Sequence, residues 1–130
     1  MHIDHIAISV DDLQESILFY SKYFIRREIK RYTAERYTIV FGESVFWKIE
    51  MFEFEDSVIV KWWKTLLDEL HVVWIKHLAL QVSDSEFDDL YKKFLDDDVV
   101  IFQKPKQWIL VQKYFFIKDP NNISIEFLVV

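Results

Sequence analysis

Not one cysteine occurs in this chain, which excludes disulfides and thiolate metal ligands and leaves any bound ion to imidazole and carboxylate donors. Glycine occurs once and proline twice, so turns must rest on Asn, Asp and Ser. No apolar stretch reaches the roughly 18 residues that a membrane span needs, so no membrane partner is expected. Basic residues are outnumbered, 16 against 22, and the net charge of −6 argues against nucleic acid, because neutralising phosphates takes a basic surface. The first ten residues lack the basic start and apolar run of a secretory signal, and the cytoplasm is the expected location. What is abundant is apolar surface: 52% hydrophobic and 18% aromatic residues can fill the core of one domain in a chain of 130.

The chain states one pattern twice. Ile3-Asp4-His5-Ile6-Ala7-Ile8-Ser9-Val10-Asp11-Asp12 returns as Ile75-Lys76-His77-Leu78-Ala79-Leu80-Gln81-Val82-Ser83-Asp84, a shift of 77 − 5 = 72 residues. Each half also holds an acid behind an isoleucine in a strand-like run, Ile49-Glu50-Met51-Phe52 and Ile125-Glu126-Phe127-Leu128. A duplicated half that presents one His and one Glu each time suits a metal site of two imidazoles and two carboxylates: His5, Glu50, His77 and Glu126. Such a set accepts one divalent ion per site, Zn, Ni, Mn, Co or Fe. Glu126, between Ile125 and Phe127, would be costly to bury unpaired, which favours a ligand. Glu50 is less secure, because Glu53 and Glu55 lie close by and acids in a cluster are readily solvated. His2 and His71 have no repeat partner and are expected at the surface.

Alternation and period give the elements. In the first strand Ile6, Ile8 and Val10 face one way and His5, Ala7 and Ser9 the other; Leu78, Leu80 and Val82 against His77, Ala79 and Gln81 repeat this. Asp11-Asp12 and Ser83-Asp84-Ser85 can cap helices predicted over 13–24 and 85–95. Further strands are predicted over 28–33, 37–41 and 46–54, then over 99–103, 108–117 and 123–129. Each half therefore reads βαβββ. The boundaries expected are half-modules 1–56 and 72–130, joined by segment 57–71, in which Val58, Trp62, Leu66 and Leu70 form one helical stripe. One such unit cannot close a sheet alone, so the fold class expected is α+β: two tandem βαβββ modules forming a curved mixed sheet with helices on its convex side. The His-bearing faces should line the hollow. Lys48, Phe52 and Phe54 share the face of Glu50, and with Ser9 and Gln81 they make the expected substrate pocket: aromatic walls and one cation, for a small molecule. The apolar content and Trp62, Trp63 and Trp74 near the junction predict a homodimer.

The opening His5-Ile6-Ala7-Ile8-Ser9-Val10-Asp11-Asp12-Leu13, followed by Ile17 and Phe19-Tyr20, and the closing Asp119-Pro120-Asn121-Asn122-Ile123-Ser124-Ile125-Glu126-Phe127 resemble the vicinal oxygen chelate superfamily. That family includes glyoxalase I, methylmalonyl-CoA epimerase, extradiol dioxygenases, and fosfomycin- and bleomycin-resistance proteins. The resemblance spans essentially the whole chain and implies a single glyoxalase-like domain over 1–130. It maps the family's four metal positions onto His5, Glu50, His77 and Glu126, and implies Glu126 and Glu50 as catalytic bases. Asn122 stands where the family's final turn usually has glycine, and the glycine usual after the first helix is missing near Phe24-Ile25. Ser9 stands where glyoxalase I typically has an arginine, which argues against a glutathione substrate. The function expected is that of a metal-dependent lyase or isomerase acting on a small oxygen-chelating metabolite. The alternatives are an Fe²⁺ dioxygenase or fosfomycin-type thiol transferase, and a non-enzymatic drug- or metabolite-binding protein like those of bleomycin resistance.

Overall fold

The computed structural model describes residues 3–44, 47–56, 75–108 and 111–130. Backbone contacts divide the chain into two compact units, Met1–Ile59 and Val60–Val130. Each carries one βαβββ set, as the repeat predicts. The stripe of Val58, Trp62, Leu66 and Leu70, the tryptophans Trp62, Trp63 and Trp74, and both His2 and His71 lie outside the described residues.

In the first unit the elements are β1 (His5–Val10), α1 (Leu13–Tyr23), β2 (Arg27–Thr33), β3 (Tyr37–Glu43) and β4 (Lys48–Phe54). The strands form one four-stranded mixed sheet in the order β1-β4-β3-β2, with β1 parallel to β4. Asp12 caps α1 by accepting the Glu15 N–H at 2.8 Å. A second acid comes from the sheet: Glu53 accepts the Leu13 N–H at 2.7 Å. Two of the helix's orphan donors are thereby satisfied. The helix ends at Phe24 with φ −131°, a negative angle open to any residue, so the glycine missing there is not needed. The core holds Val10, Leu13, Tyr20, Ile25, Val40, Ile49 and Met51.

The second unit contains β5 (Leu78–Gln81), α2 (Asp84–Asp96), β6 (Ile101–Trp108), β7 (Val111–Lys118) and β8 (Ser124–Val129), with strand order β5-β8-β7-β6 and β5 parallel to β8. Ser83 and Glu86 form a reciprocal capping box at the start of α2. The core is aromatic: Phe115 stacks on Phe127 at 5.0 Å and meets the edges of Phe87 and Tyr91 at 4.9 and 5.2 Å.

The largest difference from the expected boundaries is at β6. The sequence pattern ends β6 at residue 103 and gives Trp108 to the next strand, whereas β6 runs on through Pro105 to Trp108. It is an edge strand, and its register slips between Gln103, Lys106 and Trp108. A proline, which donates nothing to a ladder, is accommodated at such an edge.

The scarcity of glycine has two structural answers. Asp98 (φ 54°) and Asn122 (φ 68°) take the left-handed positions, which these residue types tolerate best after glycine. The sole glycine, Gly42, has no such angle and is there for space: a Cβ would lie 2.6 Å from Ile25 Cδ1 and 3.0 Å from its Cγ2. Because Ile25 is itself buried, Gly42→Ala is expected to cost about 1–3 kcal/mol, read as a lower urea midpoint, and trimming Ile25 to valine in the same chain should recover part of it. An unchanged midpoint would show that Ile25 can swing clear.

Candidate metal and substrate site

Alternation assigns the two faces of each sheet. In β1, Ile6, Ile8 and Val10 turn toward the core, while His5, Ala7 and Ser9 are exposed on the opposite face. In β4, Ile49 and Met51 are buried beneath α1 and Lys48, Glu50 and Phe52 point the other way. Glu53, whose proximity clouded the sequence reading of Glu50, is claimed by the end of α1. The two acids thus serve opposite faces.

The ladder registers arrange that outer face in rows. His5, Lys48, Glu43 and Arg27 lie across one row; Ala7, Glu50, Phe41 and Lys30 across the next; Ser9, Phe52, Ile39 and Tyr32 across the third. The face therefore grades from charged to aromatic. Phe52 and Phe54 stack at 6.3 Å, and a shallow hollow is lined by Lys30, Tyr32, Ile39 and Phe41. In the second unit the corresponding rows are Ala79, Glu126, Phe116 and Gln103, then Gln81, Leu128, Tyr114 and Lys106.

In both units a His meets the Glu of the neighbouring parallel strand. His5 Nε2 lies 3.5 Å from Glu50 Oε2, and His77 Nε2 lies 2.9 Å from Glu126 Oε2. Both carboxylates are largely covered, at 16% and 14% exposure. Two donors each about 2.1 Å from one ion stand about 3.0 Å apart at a right angle and about 3.4 Å apart at the tetrahedral angle. Each pair therefore has the spacing of adjacent ligands on one divalent ion, and the donor types fit as well. Among the described residues no three or more His, Asp or Glu side chains gather as metal donors; what each unit presents is a pair.

A third member of each constellation escapes a reading of the sequence. The edge of Phe41 meets the His5 ring at 5.6 Å and 76°, and that of Phe116 meets His77 at 5.1 Å and 83°. Each Phe is the ladder partner of the Glu in its own unit. The signal is faint because the spacings differ: 50 − 41 = 9 in one half and 126 − 116 = 10 in the other. The aromatic edges fix the imidazole planes.

The two imidazoles are held differently. His5 Nδ1 lies 3.0 Å from Asp4 Oδ2, and Lys48 Nζ lies 2.5 Å from Asp4 Oδ1. Hydrogen bonds from Lys48, then from the His5 ring, hold the Asp4 carboxyl below the usual carboxylate range. Lys48, expected as the cation of the pocket, is on the expected face with its ammonium engaged by Asp4. Among the described residues, His77 Nδ1 is buried without a hydrogen-bond partner. Its Nε2 faces Glu126 Oε2. Ser9 and Gln81 are exposed on the His-bearing faces of their own units.

Known proteins share this architecture. A metallothiol transferase FosB of Lysinibacillus sphaericus is 24% identical over 125 residues, covering 96% of this chain and 79% of the relative. A glyoxylase/bleomycin resistance protein/dioxygenase domain from Frankia superposes with a TM-score of 0.78 at 16% identity, over 99% of this chain and 97% of that one. The fosfomycin resistance protein FosX of Listeria monocytogenes, solved with Mn(II) and sulfate, superposes with a TM-score of 0.72 at 16% identity, over 99% and 92%. These likenesses carry the fold: α+β, built from βαβββ modules. The sequence profile of the Glyoxalase/Bleomycin resistance protein/Dioxygenase superfamily matches residues 2–127, and the chain belongs to that superfamily.

Proposed function

We propose that this protein is a metal-dependent enzyme, a lyase or isomerase, acting on a small oxygen-chelating metabolite. The observation that carries this is the repeated His–Glu pair at ligand spacing. In the proposal His5, Glu50, His77 and Glu126 hold one divalent ion, and the protein works as a homodimer with one single-domain glyoxalase-like chain per protomer. Such an ion polarises a carbonyl oxygen and steadies the negative charge that develops there. The chain's own residues do the rest. Glu126 or Glu50 takes the proton from the carbon beside that carbonyl. Phe41, Phe52 and Phe54 supply apolar walls that keep water from the reacting carbon, and Ser9 and Gln81 offer hydrogen bonds to substrate oxygens. The likeness to a metallothiol transferase over 96% of the chain supports a second reading, in which a thiol is added to a substrate such as fosfomycin.

One experiment separates them. Metal-loaded protein in deuterated water is offered a panel of small carbonyl compounds, and in parallel fosfomycin with a thiol. Deuterium should enter beside a carbonyl, and Glu126→Gln should slow it by about 10²–10⁴-fold, the usual contribution of a positioned base. No exchange in any compound, with thiol consumed in the presence of fosfomycin, would replace the first reading by the second.

A further inference from the structure

We infer that Asp4, clamped by Lys48, is a positioning residue that presets His5 as a ligand by fixing its ring hydrogen on Nδ1. This rests on the proposal that His5 binds a metal ion. Three contacts form a relay: Lys48 Nζ donates to Asp4 Oδ1 at 2.5 Å, His5 Nδ1 donates to Asp4 Oδ2 at 3.0 Å, and His5 Nε2 stands 3.5 Å from Glu50 Oε2. A carboxylate accepts and cannot donate, so the Nδ1 contact needs its hydrogen on the ring. Nε2 is then left with its lone pair facing Glu50, at a distance too long for a hydrogen bond and right for a shared ion. An ion can be taken up there with no hydrogen leaving the ring. The clamp follows from register: His5 and Lys48 are direct ladder partners, so the lysine one strand away reaches the residue just before His5.

The second unit lacks this device. The position corresponding to Asp4 is Lys76, which only donates and cannot hold a ring hydrogen on Nδ1. His5 is ready as it stands, whereas no such constraint acts on the His77 ring among the described residues.

The test is long-range ¹H–¹⁵N NMR of the metal-free protein, made near pH 8.5, about two units above the ordinary imidazole value, with metal affinity measured on the same samples. In wild-type protein His5 should carry its hydrogen on Nδ1. Asp4→Ala should release His5 to a mixture of tautomers and weaken divalent-ion binding by about 10–100-fold, the usual effect of losing such a partner. Asp4→Asn, whose amide oxygen still accepts, should keep the Nδ1 tautomer and restore part of the affinity. Asp4 and His5 are both exposed, so these variants should fold, which circular dichroism checks. A wild-type His5 with its hydrogen on Nε2, or a tautomer unchanged in Asp4→Ala, would overturn the inference. Protein that takes up no ion, yet shows the Asp4-dependent tautomer, would support the constraint on His5 and overturn the metal proposal alone.

Discussion

Phe115→Ala is expected to remove about 3–5 kcal/mol of stability, the range for deleting a fully buried aromatic side chain. Phe115 has 0% exposure, and its ring touches Phe87 and Tyr91 of α2 and Phe127 of β8. It joins helix to sheet in the second unit. These three aromatic rings cannot collapse into the void without leaving their rotamers, so both the lost transfer energy and a cavity contribute. Against a total stability of about 5–15 kcal/mol, this is about a fifth or more. A urea melt should show the midpoint falling with little change in slope. Phe115→Leu, which keeps most of the volume, should cost much less. A Phe115→Ala midpoint within experimental scatter of wild type would mean that this cluster does not hold the second unit together.

That cluster was only half legible in the sequence. The period of Phe87, Leu90, Tyr91, Phe94 and Leu95 predicts a helix with one apolar face, and α2 is there. Which strand residue meets that face depends on the parity of β7, and the sequence reading began that strand at Trp108. Pro105 misled because proline usually breaks a strand, and only the edge position of β6 accommodates it. The repeated His and Glu were legible because His5, Glu50 and Glu126 sit in strands that keep their alternation and His77 immediately precedes one. Lys48 was placed on the correct face, but its partner was not foreseen. Asp4 lies outside β1, and only the His5↔Lys48 register brings the two together. Phe41 and Phe116 were missed for the same reason: cross-strand neighbours are set by register, which a spacing search does not see.

His5→Ala and His77→Ala are each expected to reduce divalent-ion affinity by more than the roughly 10–100-fold lost with an outer partner, since each removes a donor outright. His5 is exposed and His77 half-buried, and neither belongs to the apolar core, so both variants should keep the fold. Loss of Phe116 packing on His77 should be a minor cost. If the two His–Glu pairs of one site come from two chains, a heterodimer of the His5→Ala chain and the His77→Ala chain should recover one intact site of two, a result that also tests the proposed homodimer. Equal and undiminished binding in both single variants would remove the histidines from the site.

The central claim is that the duplicated His–Glu pair exists to hold a metal ion. The most direct measurement is metal content after equilibrium dialysis of wild-type protein, prepared without chelator or nickel resin, against saturating Zn²⁺ or Mn²⁺. The account predicts saturable uptake of one ion per chain, lost in both histidine variants. Wild-type protein that remains metal-free at saturation, with its fold intact, would contradict it.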